Sequence, residues 1–199
     1  MRQRLRRQAR RVRVIVYQET LFDWQEHLWT FVGAFAGIGL IGLLNRELLG
    51  PADTLLLVGS FGASSVLIYG VINSPLAQPR NLLGGHVLGA LVGVTAQQWL
   101  GTEQWLAAAL AVAASIVLMQ ITKTLHPPGG ATALIAVVGS GRIRELGYWY
   151  VLLPVLLGAL LLLAVALVVN NLPGTRRYPA NPHWYRVWQR YRRPKPPTV

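Results

Sequence analysis

The feature that most constrains this chain is a series of apolar stretches near the length a helix needs to cross a bilayer, about 17 to 25 residues. Leu28 to Asn45, Ala52 to Asn73, Leu82 to Leu100, Gln104 to Thr122 and Tyr148 to Val169 are such stretches; Pro127 to Gly141 is apolar but shorter. The second is interrupted by Gly59-Ser60-Phe61-Gly62, and the short one starts with two prolines and two glycines. With 53% apolar and only 13% charged residues, a water-soluble domain is not described. The expected fold class is all-α: a polytopic transmembrane helical bundle of four to six spans, with two glycine-broken or re-entrant segments.

The net charge of +12 invites a nucleic-acid reading, so its distribution matters. Residues 1–27 carry seven Arg against Glu19, Asp23 and Glu26, and residues 172–199 carry seven Lys or Arg and no acid. Between them the basic residues are Arg46, Arg80, Lys123, Arg142 and Arg144, nearly balanced by Glu47, Asp53, Glu103 and Glu145. Basic clusters flanking an apolar block anchor a protein to anionic headgroups. A nucleic-acid binder puts its basic face on the folded domain itself, so no nucleic-acid partner is expected. Three segments follow: a basic amphipathic N-terminal segment (1–27), a transmembrane domain (28–171) and a basic, aromatic and Pro-rich tail (172–199). The N-terminal segment lacks the short apolar core and small-residue site of a cleavable signal and is expected to lie on the membrane surface. Both basic termini are expected on the cytoplasmic side of the plasma (inner) membrane, which requires an even number of crossings, four or six.

An internal similarity relates Gly62-Ala63-Ser64-Ser65 to Gly130-Ala131-Thr132-Ala133 at a spacing of 68 residues, and Gly89-Ala90-Leu91 to Gly158-Ala159-Leu160 at 69. Each half would hold a full helix, a broken segment and another full helix, giving an inverted 3+3 repeat of the kind transporters use. Chance recurrence of small residues is the competing explanation, because such residues are frequent wherever membrane helices pack closely.

His126-Pro127-Pro128-Gly129-Gly130 prevents the fourth helix from continuing and suits the start of a new one. Irregular backbone at membrane depth must be covered by protein or a wet cavity. A helix starting there is expected to present free N–H groups at Gly129 and Gly130 to an anion. Gly62, Ala63, Ser64 and Ser65 form the counterpart, with Ser60 and Thr132 adding hydroxyls. His86 lies inside an apolar run, where an ionisable group is expensive; it either binds an anion or a proton, or bonds a neighbouring helix. Lys123 and His126 are three apart and suit one helix face, and Lys123 alternatively snorkels to headgroups. Arg80 reads as an inside anchor or, with Lys123, as an anion recruiter at the cytoplasmic mouth.

Enzyme signatures are missing. Apart from Asp53 at the very start of the second run, the acids lie outside the apolar runs, there is no His-x-x-x-His, Gly-x-Ser-x-Gly or Gly-Lys-Thr loop, and His27, His86, His126 and His183 are scattered. With no cysteine, thiolate chemistry is excluded. Neither a catalytic residue, a metal site nor a cofactor is expected.

The string His126 to Leu134 resembles the signature of the HPP family of integral membrane proteins. Gly59 to Ser64 and Ser74 to Asn81, continuing to Gly84-Gly85-His86, are similar to its other recurrent blocks; together the likeness covers about residues 28–171. The family is usually described with four spans, and some cyanobacterial and plastid members are associated with nitrite transport. The resemblance implies a transporter of a small inorganic anion, nitrite first. On the residues above, that anion binds at helix N-termini near the bilayer midplane, with a proton as coupled ion. A homo-oligomer is expected, since so few helices make a thin enclosure. The alternatives are a non-transporting membrane scaffold and a lipid- or nucleic-acid-binding membrane protein acting through its basic tails.

Overall fold

The computed structural model describes residues 23–49 and 55–180. Helix α1 spans Trp24–Leu49. Helix α2 spans Gly59–Ser65 and widens into a π-turn over Val66–Gly70. A short 3-10 turn, Pro75–Ala77, leads into α3, Pro79–Leu100. Then come α4 (Gln104–Ile121), α5 (Pro127–Val138) and the short α6 (Gly141–Glu145). A kinked segment, Val151–Leu156, with extended angles at Leu153, continues into α7, Leu157–Val169. No strand occurs among the described residues.

Local chemistry sets the helix starts. Asp23 Oδ1 accepts from the N–H groups of Gln25 (3.0 Å) and Glu26 (3.3 Å), so α1 begins four residues before the apolar run does. Pro79 and Pro127 each sit at the start of a helix, where a missing N–H costs nothing. The Gly59–Gly62 string, expected to break a helix, is helical; the irregular stretch precedes it, at residues 55–58, where Leu56 N donates to Asn45 Oδ1 (2.9 Å). The glycine-broken segment expected over Ala52–Asn73 is therefore a short helix, 59–70, and the break lies ahead of it and not at Gly59–Gly62.

Trp24–Leu49, Gln104–Ile121 and Val151–Val169 are long and apolar enough to cross a membrane. The 22-residue α3 is long enough but carries Arg80, Asn81, His86, Gln97 and Gln98. The 12-residue α5 reaches about 18 Å, well short of a hydrocarbon core of about 30 Å.

Glycines determine which helices touch. A methyl group added at Gly89 would fall on the carbonyl oxygen of Gly129, and one at Gly129 on that of Gly85, so α3 and α5 run parallel in backbone contact. Gly93 meets Ala133 in the same seam. In α1, Gly33 and Gly37 make room for the Tyr69 ring, whose hydroxyl donates to Leu162 O (3.0 Å). Gly158 of α7 receives the ring of Phe61. The two members of the weak repeat thus have corresponding partners: Gly89 faces the start of α5, and Gly158 faces the start of α2.

Three apolar clusters result. Ile41, Phe61, Ile68, Tyr69, Leu162 and Ala166 tie α1, α2 and α7 together. Ala96, Ala107, Ala111, Ala133 and Val137 tie α3, α4 and α5. The third joins Ala90 and Val94 of α3 and Ala136 of α5 to Tyr150, Val151 and Val155.

The chain stays with the bundle past residue 171, where a basic tail separate from the transmembrane domain was expected. Arg176 is buried: its Nε donates to Glu26 Oε2 (2.8 Å), Nη1 to Tyr69 O and Asn170 Oδ1, and Nη2 to Glu26 O and Thr30 Oγ1. Tyr178, also buried, donates to Ala77 O (2.7 Å); burial raises its pKa and keeps the proton on the phenol. These contacts bring the start of α1 and the end of α7 to one end of the molecule. The amphipathic reading of residues 1–22 and the rest of the tail, 181–199, lie outside the described residues.

Candidate functional site

Where α2 and α5 cross, running antiparallel, a polar cluster is enclosed. Ser64 Oγ lies 2.7 Å from His86 Nε2 and 2.9 Å from His126 Nε2. The other nitrogen of His86, Nδ1, lies 2.7 Å from Thr132 Oγ1, which is 2.8 Å from Ser60 Oγ. His126 Nδ1 lies 2.9 Å from Leu76 O. Tyr150 OH donates to Thr132 O (3.2 Å), and the rings of Phe61 and His126 stand edge-on to His86 at 5.3 and 5.1 Å. Ser64, His86, His126 and Thr132 are fully buried, and Ser60 nearly so.

The sequence explains this placement. His126 is the residue preceding α5, held extended by Pro127. Gly85, having no side chain, lets His126 lie directly against α3. His86 is one position on from Gly85 and points into the crossing. Measured along α3 at about 1.5 Å per residue, the level of Gly85 and His126 is about 9 Å from the helix start, and that of Thr132 about 19 Å, inside a helix about 33 Å long. The cluster therefore lies in the interior of the bundle; in the His-Pro-Pro turn His126 and Pro128 are buried, while Pro127 is exposed.

A carbonyl only accepts, so Leu76 O fixes a proton on His126 Nδ1. With both rings neutral, His126 Nε2 then accepts from Ser64, whose oxygen accepts from His86 Nε2, and His86 Nδ1 accepts from Thr132. The order is forced because each hydroxyl has one proton. Thr132 has three acceptors within reach of its single proton: His86 Nδ1, Ser60 Oγ and, at 3.1 Å, Pro128 O.

The structure brings together five of the residues singled out from sequence, Ser60, Ser64, His86, His126 and Thr132. Gly62 and Ala63 are exposed and make no part of the cluster. The expectation of a free amide at Gly129 is corrected: its N–H donates to His126 O (2.8 Å), while Pro127 and Pro128 have no N–H to offer. Gly129 serves the α3–α5 contact instead. Gly130 is buried and borders an apolar groove with Met119, Leu125 and Leu134. Lys123 does not share a helix face with His126: it ends α4 in the left-handed region (φ 56°), and Thr124 N donates back to Met119 O (2.8 Å). Arg80 donates to Lys123 O. Ser65 Oγ and Arg80 Nε are the buried side-chain polar atoms without a partner among the described residues.

Sequence reasoning missed Leu76 O, Tyr150 and Arg176. A main-chain acceptor leaves no trace in residue type. Tyr150 reads as part of an interfacial aromatic cluster, and Arg176 as one more anchor in a basic tail.

Comparison with known proteins agrees with this architecture. The family model for the HPP transmembrane region matches residues 19–179. A transmembrane protein of Dictyostelium discoideum is 48% identical over 167 residues, which is 82% of this chain and 57% of that protein. A second transmembrane protein of the same organism is 45% identical over 160 residues, 79% of this chain and 51% of its own length. The chain thus spans about half the length of these curated relatives. No solved structure matches it significantly. From the matched length, the identities and the His-Pro-Pro segment at the centre of the bundle, the chain is a membrane protein belonging to the HPP transmembrane-region family.

Proposed function

We propose that this protein carries a small inorganic anion across the plasma membrane, nitrite being the first candidate, with both basic termini cytoplasmic. The observation that carries the reading is the enclosed Ser64–His86–His126–Thr132 cluster in the interior of the helical bundle. Polar and ionisable side chains are costly there and mark substrate pathways. The cargo's ligands are side-chain donors, the two imidazoles and the hydroxyls, in place of the helix-end amides expected from sequence. The orphan hydroxyl of Ser65, next to Ser64, is a donor with an unfilled position. Arg80 and Lys123 flank the cluster on the side of the chain termini, where they would recruit an anion. The crossing of two short helices, each paired with a helix of the opposite half, favours an alternating-access arrangement.

The test is uptake of nitrite, nitrate, formate and chloride into proteoliposomes of the purified protein, against protein-free vesicles. Uptake of at least one anion, lost in His86→Ala and His126→Ala proteins that still fold, is the expected result. No uptake of any of them removes the transport reading.

A further inference from the structure

Phe61 and Ser64 from α2 and Thr132 from α5 meet the histidine pair, and Ser60 Oγ and the Tyr150 hydroxyl meet Thr132 behind them. The Leu76 carbonyl faces it from the 3-10 turn. Among the described residues no carboxylate bonds to the cluster. Arg46 pairs with Glu47 and Arg176 with Glu26, both away from the cluster. A proton added to either ring would stand in a buried interior without a carboxylate beside it among the described residues, which is strongly unfavourable. An anion added to neutral rings is equally uncompensated. Together they neutralise each other, so each raises the affinity for the other.

The hydrogen-bond chain is built to accept that proton without rearranging heavy atoms. If the added proton sits on His126, its Nε2 donates to Ser64, Ser64 turns its own proton to His86 Nε2, and His86, now carrying its single proton on Nδ1 instead of Nε2, donates to Thr132. Thr132 then directs its proton to Ser60 Oγ or Pro128 O, both already within 3.1 Å. If it sits on His86, only Thr132 turns. One proton is gained, none is lost, and Ser64 and Thr132 each keep one donor bond.

We infer that the cluster binds one proton and one monoanion as a neutral pair, making the protein an electroneutral proton–anion symporter. This rests on the transport reading above and gives the proton expected from sequence a place in the cluster and a one-to-one stoichiometry. Moving a lone monoanion into a negative interior costs about 2.3 kcal/mol per 100 mV; the pair crosses without that cost.

Two measurements test it. In proteoliposomes, nitrate or nitrite accumulation is expected to follow the imposed pH difference, up to tenfold per unit, and to ignore a potassium diffusion potential set with valinomycin. Accumulation that follows the potential and ignores the pH difference overturns the symport inference while leaving the anion-transport reading in place. Independently, adding sodium nitrate or nitrite to the purified protein in weakly buffered detergent is expected to draw close to one proton per chain from solution. His86→Gln and His126→Gln together abolish that uptake. Anion-linked proton uptake without transport in vesicles would remove the transport reading and with it symport, but leave paired binding; neither proton uptake nor pH-driven accumulation overturns both parts of the inference.

Discussion

The α-carbon of Gly89 rests against the main-chain carbonyl of Gly129, leaving no space for even a methyl group between α3 and α5. Gly89→Ala is expected to destabilise the protein by about 3 kcal/mol or more, the upper end for inserting atoms into a packed site, because the obstacle is backbone and cannot rotate away. A Cβ at Gly62 meets nothing within 4 Å, so Gly62→Ala should change stability by less than about 0.5 kcal/mol. Thermal unfolding of both variants in the same detergent gives the comparison. Equal losses would show that the α3–α5 contact is not as close as described.

Thr132→Val keeps the shape of the side chain and removes its hydroxyl, leaving His86 Nδ1 and Ser60 Oγ without the partner each has now. A buried polar group left unmatched costs about 1 to 3 kcal/mol. Felt in cargo affinity, that is roughly five- to a hundredfold. Thr132→Ser, which restores the oxygen, is expected to recover most of both. Unfolding curves and initial uptake rates should move together across the pair; a Val variant as active as the parent would show that the Thr132 hydroxyl serves packing alone.

Arg176 spends all its donors on Glu26, Thr30, Asn170 and Tyr69, joining the end of the chain to α1 and α2. Breaking a buried ion pair costs about 3 to 5 kcal/mol, and the two-fifths exposure of Glu26 lowers that to about 2 to 3. Arg176→Ala should lose this stability and Arg176→Lys should recover little, since an ammonium cannot make five bonds in a planar fork. Removal of the neighbouring, exposed Arg177 is the control, with no expected change in melting temperature.

With no native cysteine, single cysteines report sidedness cleanly. Those placed at Lys123 and Arg177 should be labelled by an impermeant maleimide from one side of the membrane. Those at Glu103 and Arg144 should be labelled from the other. All four positions are exposed. Labelling of Lys123 and Glu103 from the same side would contradict a membrane crossing by α4.

How far the sequence predicted these relationships varies by residue. The apolar runs located α1, α4 and α7 to within a few residues, because spanning length is a local property. Pro127 marked the start of α5 through its own ring chemistry, and Ser64 and Thr132, related by the weak repeat, do meet at the same imidazole. The Gly59–Gly62 string misled because a glycine inside a packed membrane helix costs less than its reputation as a breaker implies; nothing in the structure explains the small residue at Gly62 itself. The pairing of Ser64 with His126 and of Arg176 with Glu26 joins residues 62 and 150 apart, a relation no local pattern encodes. The free amide expected at Gly129 failed for a different reason: the tight turn that the two prolines impose uses that N–H on the His126 carbonyl.

The packing divides the molecule differently from the chain. Glycine contacts weld α3 to α5, with α4 alongside, into one slab, and fit α1, α2 and α7 into another. Each slab borrows one long helix from the other half of the sequence. Between the slabs lie the imidazoles and hydroxyls together with the Tyr150–Val155 segment, so rocking one against the other would part the two histidines from Ser64 and Ser60 while leaving every glycine seam shut.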